Sequence, residues 1–296
     1  MDGALFRHGF THPILTCTRI MSELHEGICG SHIGGRSLVS KVVCAGFYRP
    51  TVREDCVRYA QRCKQYQLHA DWHKAPPEEL RSIYSPWPFH TWGIDILGPF
   101  PLAIRQMKYL IVAIEYFTKW IEAEPVAQIT AHKVQHFVWK NIVCRFGVQM
   151  RLVSDNGTQF ASQQLRKLCA DVGIKQVFAS VEHHQTKGQV ESANRILLRG
   201  LKRRIEKAKG TWAEEVPKIV WAYHTTPQTS TMETSFSLVY GSDAMIPVEI
   251  HESLPRFQSF VAEESNEERR VNLDMLDEAR EEARIKAEAV KRRVEH

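Results

Sequence analysis

A chain of 296 residues has room for about two domains. Its hydrophobic share of 43% and charged share of 25% are those of a globular protein with a core, and exclude a disordered or fibrous chain. No apolar run approaches the ~18 residues of a membrane span, the N-terminus has no signal-peptide layout, and the seven scattered cysteines point to a reducing, intracellular setting rather than a disulfide framework.

Residues 1–22 read as a short extended lead-in. Residues 23–74 carry a His/Cys pattern and a helical stretch, TVREDCVRYAQRCKQY. Residues 75–90 hold Pro76, Pro77, Pro86 and Pro88 and read as a linker, because proline fixes φ and removes a backbone donor. From 91 to 250 the pattern is mixed. TWGIDI (91–96) is a strand, and 108–115 and 119–125 are two more, rich in β-branched and aromatic residues. Thr130 caps a helix running to 146, with Val134, Phe137, Val138 and Ile142 on one face and Gly147 as its stop.

MRLVS (150–154) is a short buried strand ended by the turn Asp155-Asn156-Gly157. A helix over 161–171 and a strand, IKQVFA (174–179), follow. A long helix is expected from Gln189 to Lys209, with Ala193, Leu197, Leu201, Ile205 and Ala208 at core spacing. This order specifies an α/β domain with a mixed sheet and flanking helices. The tail, 251–296, ends in a long amphipathic helix with Leu273, Leu276, Ala279, Ala283, Ala287, Val290 and Val294 as its stripe.

The net charge of +5 is mild, but its distribution is uneven. Residues 187–209 carry eight bases against two acids, among them Lys187, Arg195, Arg199 and Lys202, where a polyanion is well held. The other reading is a solvated helix face. Trp120, Trp139, Trp212 and Trp221 read as core rather than as base-stacking platforms, and His90, His132 and His136 as residues without partner spacing.

Three carboxylates stand out within this frame. Asp95 lies inside an apolar strand, where Asp is disfavoured. Asp155 sits at a strand tip and Glu191 one turn inside the basic helix. Taken singly, Asp155 is good turn chemistry and Glu191 an ordinary helix residue. The spacing alone decides nothing, since 34 acids in 296 residues give roughly three pairs at that separation by chance. If the strands of Asp95 and Asp155 are neighbours, both carboxylates meet at one edge and the helix adds Glu191. Three crowded anions call for a hard cation, and Mg²⁺ accepts a few carboxylates together with water and phosphate. Two such ions serve in-line attack on a phosphodiester.

The motifs WGIDILGPFP, LVSDNGTQF and HHQTKGQVESANR resemble those of the integrases of gypsy-type LTR retrotransposons, within the retroviral-type integrase superfamily. Between Asp155 and Glu191 lie 35 residues, as in the D,D-35-E signature of that family, and between Asp95 and Asp155 lie 59. AYHTTPQTSTMETSFSLVYG (222–241) resembles the tail block of the family's polyproteins, so the likeness runs over almost the whole chain. The resemblance implies an RNase H-like catalytic core in which Asp95, Asp155 and Glu191 bind Mg²⁺ or Mn²⁺. It implies 3′-end processing by water and strand transfer by a DNA 3′-hydroxyl, with a nuclear location or one in a cytoplasmic element particle. DNA contacts are expected from Asn156, Gln159, Gln185, Lys187, Arg195, Arg199 and Lys202, and homo-oligomers on paired DNA ends. The family usually continues into a β-rich DNA-binding domain, so a fragment of a longer polyprotein or a truncated element copy is expected.

The resemblance also implies a small helical zinc module with two His and a Cys-x2-Cys pair. Here His25, His32 and Cys63 match, and Tyr66 stands at the fourth position. Cys56, His69 and His73 are the nearby substitutes, Cys56 lying ~10 Å along a helix from Cys63. The alternative is that these side chains merely pack. Further departures are Arg49 where the family has tryptophan, and Glu182-His183-His184-Gln185 with Lys187 where it has Tyr-His-Pro-Gln and an Asn or Asp. Two other functions stay open: a catalytically impaired remnant acting as a DNA-binding or interaction protein, and a nuclease that cuts without joining.

Overall fold

The structure, a computed structural model, describes residues 4–7, 15–27, 30–45, 47–68, 85–178, 190, 193–195, 197–198, 200–201, 210–228, 230–246 and 270–294. The chain groups into two compact units, Met1–Lys74 with Trp221–Ala287, and Ala75–Val220 with Glu288–His296.

The first unit opens on a three-stranded antiparallel sheet of order β2-β1-β3, built from β1 (Ala4–Arg7), β2 (Leu15–Thr16) and β3 (Phe47–Tyr48). The lead-in expected over 1–22 is therefore corrected, because helix α1 already begins at Cys17 and runs to Glu26. Its Ile20, Met21 and Leu24 are buried at helical spacing, and that burial outweighs the weak local signal. Helices α2 (Gly35–Cys44), α3 (Val52–Arg62) and α4 (Lys64–Leu68) complete the module. Leu38, Val42, Phe47, Val52 and Cys56 close the core with α1. The helical stretch expected over 51–66 breaks at Cys63, whose extended backbone ends α3. Arg49 has a clear local role: its guanidinium pairs with Asp55, which also accepts the Thr51 hydroxyl at 2.8 Å and so ties the turn before α3 to its first turn.

The second unit is built on a five-stranded sheet of order β6-β5-β4-β7-β8. Strands β4 (Thr91–Leu97), β5 (Tyr109–Glu115) and β6 (Ile121–Val126) pair antiparallel, while β7 (Arg151–Ser154) and β8 (Lys175–Phe178) add parallel to β4. Parallel addition needs a crossover, which the helices after β6 and β7 supply. Helix α5 (Ala131–Phe137) starts at Thr130, whose hydroxyl accepts the Lys133 N–H at 3.2 Å. It continues through a π-helical segment, Val138–Val143, into α6 (Cys144–Phe146), and stops at Gly147 with φ 84°. Val134, Phe137, Val138 and Ile142 are all fully buried, as expected. Trp139 is not: it is 46% exposed on the opposite side. His132 and His136 do form a pair, one turn apart on α5, with parallel rings 6.3 Å between centroids. Ser162 caps α7 (Gln163–Val172) through the Leu165 N–H, and Gly173 ends it in the left-handed region.

The β5–β6 hairpin holds a polar cluster not anticipated from the sequence. Glu115 is fully buried and accepts hydrogen bonds from the Phe117 N–H (2.9 Å), the Thr118 N–H (2.6 Å) and the Thr118 hydroxyl (2.7 Å). Burial pushes its carboxyl up and the neighbouring Lys119 ammonium down to about 8, each offset in part by the other's charge. Removing the carboxylate from such a cluster leaves buried donors unanswered. Glu115→Ala is therefore expected to cost about 3–5 kcal/mol in urea unfolding; a loss below about 1 kcal/mol would show that water replaces the carboxylate.

Helix α8 (Trp212–His224) leaves this unit at Trp221. The stretch from there to 246, read from sequence as the end of the catalytic domain, packs with the His/Cys module, where Ile246 and Trp221 join the core of α1–α3. Helix α9 (Ser235–Tyr240) is capped by the Thr234 hydroxyl, and Gly241 closes it at φ 75°. Helix α10 (Leu276–Val294) returns over α9: Arg280 Nε donates to the Leu238 carbonyl at 3.0 Å. Only the middle of its expected stripe is covered. Leu276 and Ala283 are buried, whereas Leu273 and Val290 are exposed. Among the described residues no helix is long and apolar enough to cross a membrane.

Candidate active site and metal centre

The parallel register of β4 and β7 decides the position of the two aspartates. Thr91 faces Arg151, Trp92 faces Leu152 and Gly93 faces Val153. Carried two residues further with the same offset, the pairing sets Asp95 beside Asp155, just past the end of β7. Both lie toward the carboxyl ends of parallel strands, where α/β sheets bind ligands.

Each carboxylate is held by local hydrogen bonds. Asp95 Oδ1 accepts the Ile96 N–H at 2.8 Å. Asp155 Oδ1 accepts the Gly157 N–H at 2.8 Å, a turn that Asp-Asn-Gly favours by itself. Asn156 is exposed at the tip of this turn and Gln159 is half-buried, folded back against Gly157.

The third wall is helical. Ala193, Leu197 and Leu201 are buried, as the core spacing required, and Val190 is buried with them. Val190 packs over Gly93, the residue two before Asp95 and on the same face of β4. Asn194 donates its Nδ2 to Asp95 Oδ2 at 2.7 Å and is only 6% exposed. The helical residues on either side of Glu191 thus dock onto the strand of Asp95. Arg195, next to Asn194, is exposed. Glu191 itself, with Gln185, Lys187, Arg199 and Lys202, lies outside the described residues, as do Ile205 and Ala208.

Asn194, Gly93 and Tyr116 are site-building residues that the sequence reading missed. Tyr116 is buried beside Gly93 and burial pushes its phenol up. A signal for Asn194 did exist: it is the one amide on an otherwise apolar helix stripe, and a buried amide requires a partner.

In the first unit, His25, His32 and Cys63 come together, their ligand atoms all within 4.8 Å of one another. His32 Nδ1 is 3.2 Å from Cys63 Sγ. Two imidazoles and one thiol at this separation suit a transition metal of zinc type. Cys56 is in the hydrophobic core instead; His69 and His73 lie outside the described residues.

A mixed five-stranded sheet of this order with flanking helices has the RNase H-like fold. Residues 86–184 match the integrase core domain family. The chain is 25% identical over 231 residues to gypsy retrotransposon integrase-like protein 1 of Bos taurus, covering 77% of this chain and 45% of that protein. It is 25% identical over 229 residues to the retrovirus-related Pol polyprotein from transposon 412 of Drosophila melanogaster, covering 77% of this chain and 18% of the polyprotein. A chain of the simian T-cell lymphotropic virus intasome, solved in complex with the PP2A regulatory subunit B56 gamma, shares the fold at a TM-score of 0.52. It is 15% identical, over 73% of this chain and 72% of that one. Residues 86–184 are thus similar to the integrase core domain family, and the chain to gypsy-type retrotransposon integrase-like proteins. It spans less than half the length of either relative.

Proposed function

We propose that this chain is the catalytic part of a retrotransposon integrase that trims DNA 3′ ends and joins them to target DNA. The observation that carries the reading is the Asn194–Asp95 hydrogen bond of 2.7 Å, made by a residue three positions beyond Glu191 in the sequence. Together with the β4–β7 register it supports a shared pocket for Asp95, Asp155 and Glu191.

The donor set fits a hard divalent cation, since it consists of carboxylate oxygens at a strand edge. When bound, magnesium or manganese supplies charge neutralisation and Lewis-acid stabilisation at a phosphodiester. The chain's own residues do the rest. Asp95 on strand β4 and Asp155 in its turn present carboxylates tethered to backbone N–H groups, so little ordering is needed on binding. Asn194 fixes the orientation of Asp95. Arg195 offers a guanidinium to DNA phosphate, with Asn156 and Gln159 at the turn beside Asp155. Gln185, Lys187, Arg199 and Lys202 are assigned to the same DNA path on the resemblance. His25, His32 and Cys63 form the zinc site of the amino-terminal module. Oligomers on paired DNA ends, a nuclear or element-particle location, and a domain order of module, linker 75–90, core and helical tail belong to the same proposal.

Purified protein is given Mg²⁺ and a DNA duplex carrying an element end, and the products are separated by size. Joined product that disappears in Asp155→Asn is expected. Nicked product alone favours a nuclease that cuts without joining, and binding without either product favours a non-catalytic remnant, the reading that Tyr66 at a ligand position supports.

A further inference from the structure

We infer that the loop joining β4 to β5, with the groove beside it, forms a self-complementary contact through which two copies of this chain pair about a two-fold axis. The inference gives the oligomer of the proposed function a surface. It rests on that part of the reading alone, and catalysis does not enter it.

The loop, residues 98–108 of the second unit, is an apolar projection on a fixed base. Pro101, Leu102 and Ile104 are exposed in close succession, Leu102 by 50% and Ile104 by 55%. The Phe100 N–H donates to the Lys108 carbonyl at 2.7 Å and the Ala103 N–H to the Met107 carbonyl at 3.0 Å, which closes the loop on itself. The Ile104 N–H donates to the Gly210 carbonyl at 3.1 Å, and the buried Trp212 donates its indole N–H to the Pro101 carbonyl at 2.8 Å. The Phe100 and Trp212 rings pack with centroids 4.8 Å apart. Arg105 and Gln106 both have φ 61°, uncommon for residues other than glycine, and such backbone persists where its surroundings over-determine it. An apolar side chain on a backbone already fixed loses little freedom when it is covered, which favours association.

Beside the loop lies a groove of about 290 Å³, at the small end of the range for ligand pockets. Ile104, Met107, Pro125 and Ala213 give it apolar walls, and Arg105 and Glu214 line it with opposite charges. Both charged side chains are exposed, and among the described residues no ion pair joins them within one chain. Leu102 is not part of the groove's own wall, yet it stands two residues from Ile104, which is. A two-fold contact requires a patch that fits itself, and this patch holds both halves of the fit. Leu102 of each copy enters the groove of the other, and Arg105 of each copy meets Glu214 of the other. A small molecule in the groove would leave Leu102 in water, whereas a second copy covers both.

The test is sedimentation of the full chain from about 1 to about 100 µM, a span that suits the modest strength of a small interface. Reversible association into an even number of chains is expected. Leu102→Asp, Arg105→Glu and Glu214→Arg should each raise the dissociation constant on the order of tenfold or more, because each sets a charge against an apolar wall or against its like. Arg105→Glu combined with Glu214→Arg should bring association back toward the parent, since the pair is exchanged. These side chains are exposed, so circular dichroism should match the parent throughout. A parent that stays monomeric would leave the groove to a different protein and overturns the inference. Association unchanged by Leu102→Asp, or a double reversal no stronger than the single ones, overturns it as well. No arm reads DNA joining, so its failure and that of the integrase reading are separate results.

Discussion

Asp95→Asn is expected to lower magnesium-dependent strand transfer by on the order of a thousandfold, the several kcal/mol that a correctly held metal contributes. Stability should stay within about 0.5 kcal/mol of the parent. The two outcomes separate because of the amide opposite. Asn194 Nδ2 donates to Asp95 Oδ2, while its own buried Oδ1 makes no hydrogen bond among the described residues. A new amide at position 95 keeps the bond from the Ile96 N–H. It meets Asn194 by a simple flip, which turns Oδ1 into the acceptor. The fold therefore loses a charge and keeps its contacts. Asp155→Asn should behave alike, since an amide keeps the side-chain oxygen that accepts the Gly157 N–H. Joining at the parent rate in either variant, with the fold intact by circular dichroism, would remove these residues from the chemistry.

The second large effect is steric. A Cβ built on Gly93 runs into Val190 Cγ2 and comes within 2.7 Å of the Tyr116 ring and hydroxyl. Gly93→Ala therefore requires the strand and the helical residues at 190 to move apart. Overpacking of this kind costs about 2–3 kcal/mol. A displacement of about 1 Å in a catalytic pocket also costs on the order of a hundredfold in rate. Thermal unfolding and strand transfer should both fall. Val190→Ala in the same chain should restore part of each, because it removes the methyl groups that collide. Additive losses in the double variant would mean that the helix is not seated against Gly93.

Much of the second unit was legible along the chain. Strand composition marked β4–β8, Thr130 and Gly147 bounded the helix after β6, and Asp-Asn-Gly closed β7. These features rest on interactions within a few residues, which a local reading can weigh. The odd aspartate in an apolar strand and the turn aspartate were visible for the same reason.

What the chain order could not show were the pairings across distance. The offset that sets Asp95 beside Asp155 comes from a parallel register between strands far apart in sequence. The bond from Asn194 to Asp95 spans 99 positions, and Ile246 reaches the core of the amino-terminal helices from more than two hundred residues away. Burial of Glu115 likewise depends on what the hairpin packs against. Short-range propensities and caps are properties of a segment. Register, docking and burial are set by how many segments bury apolar surface at once, and only the folded chain decides them.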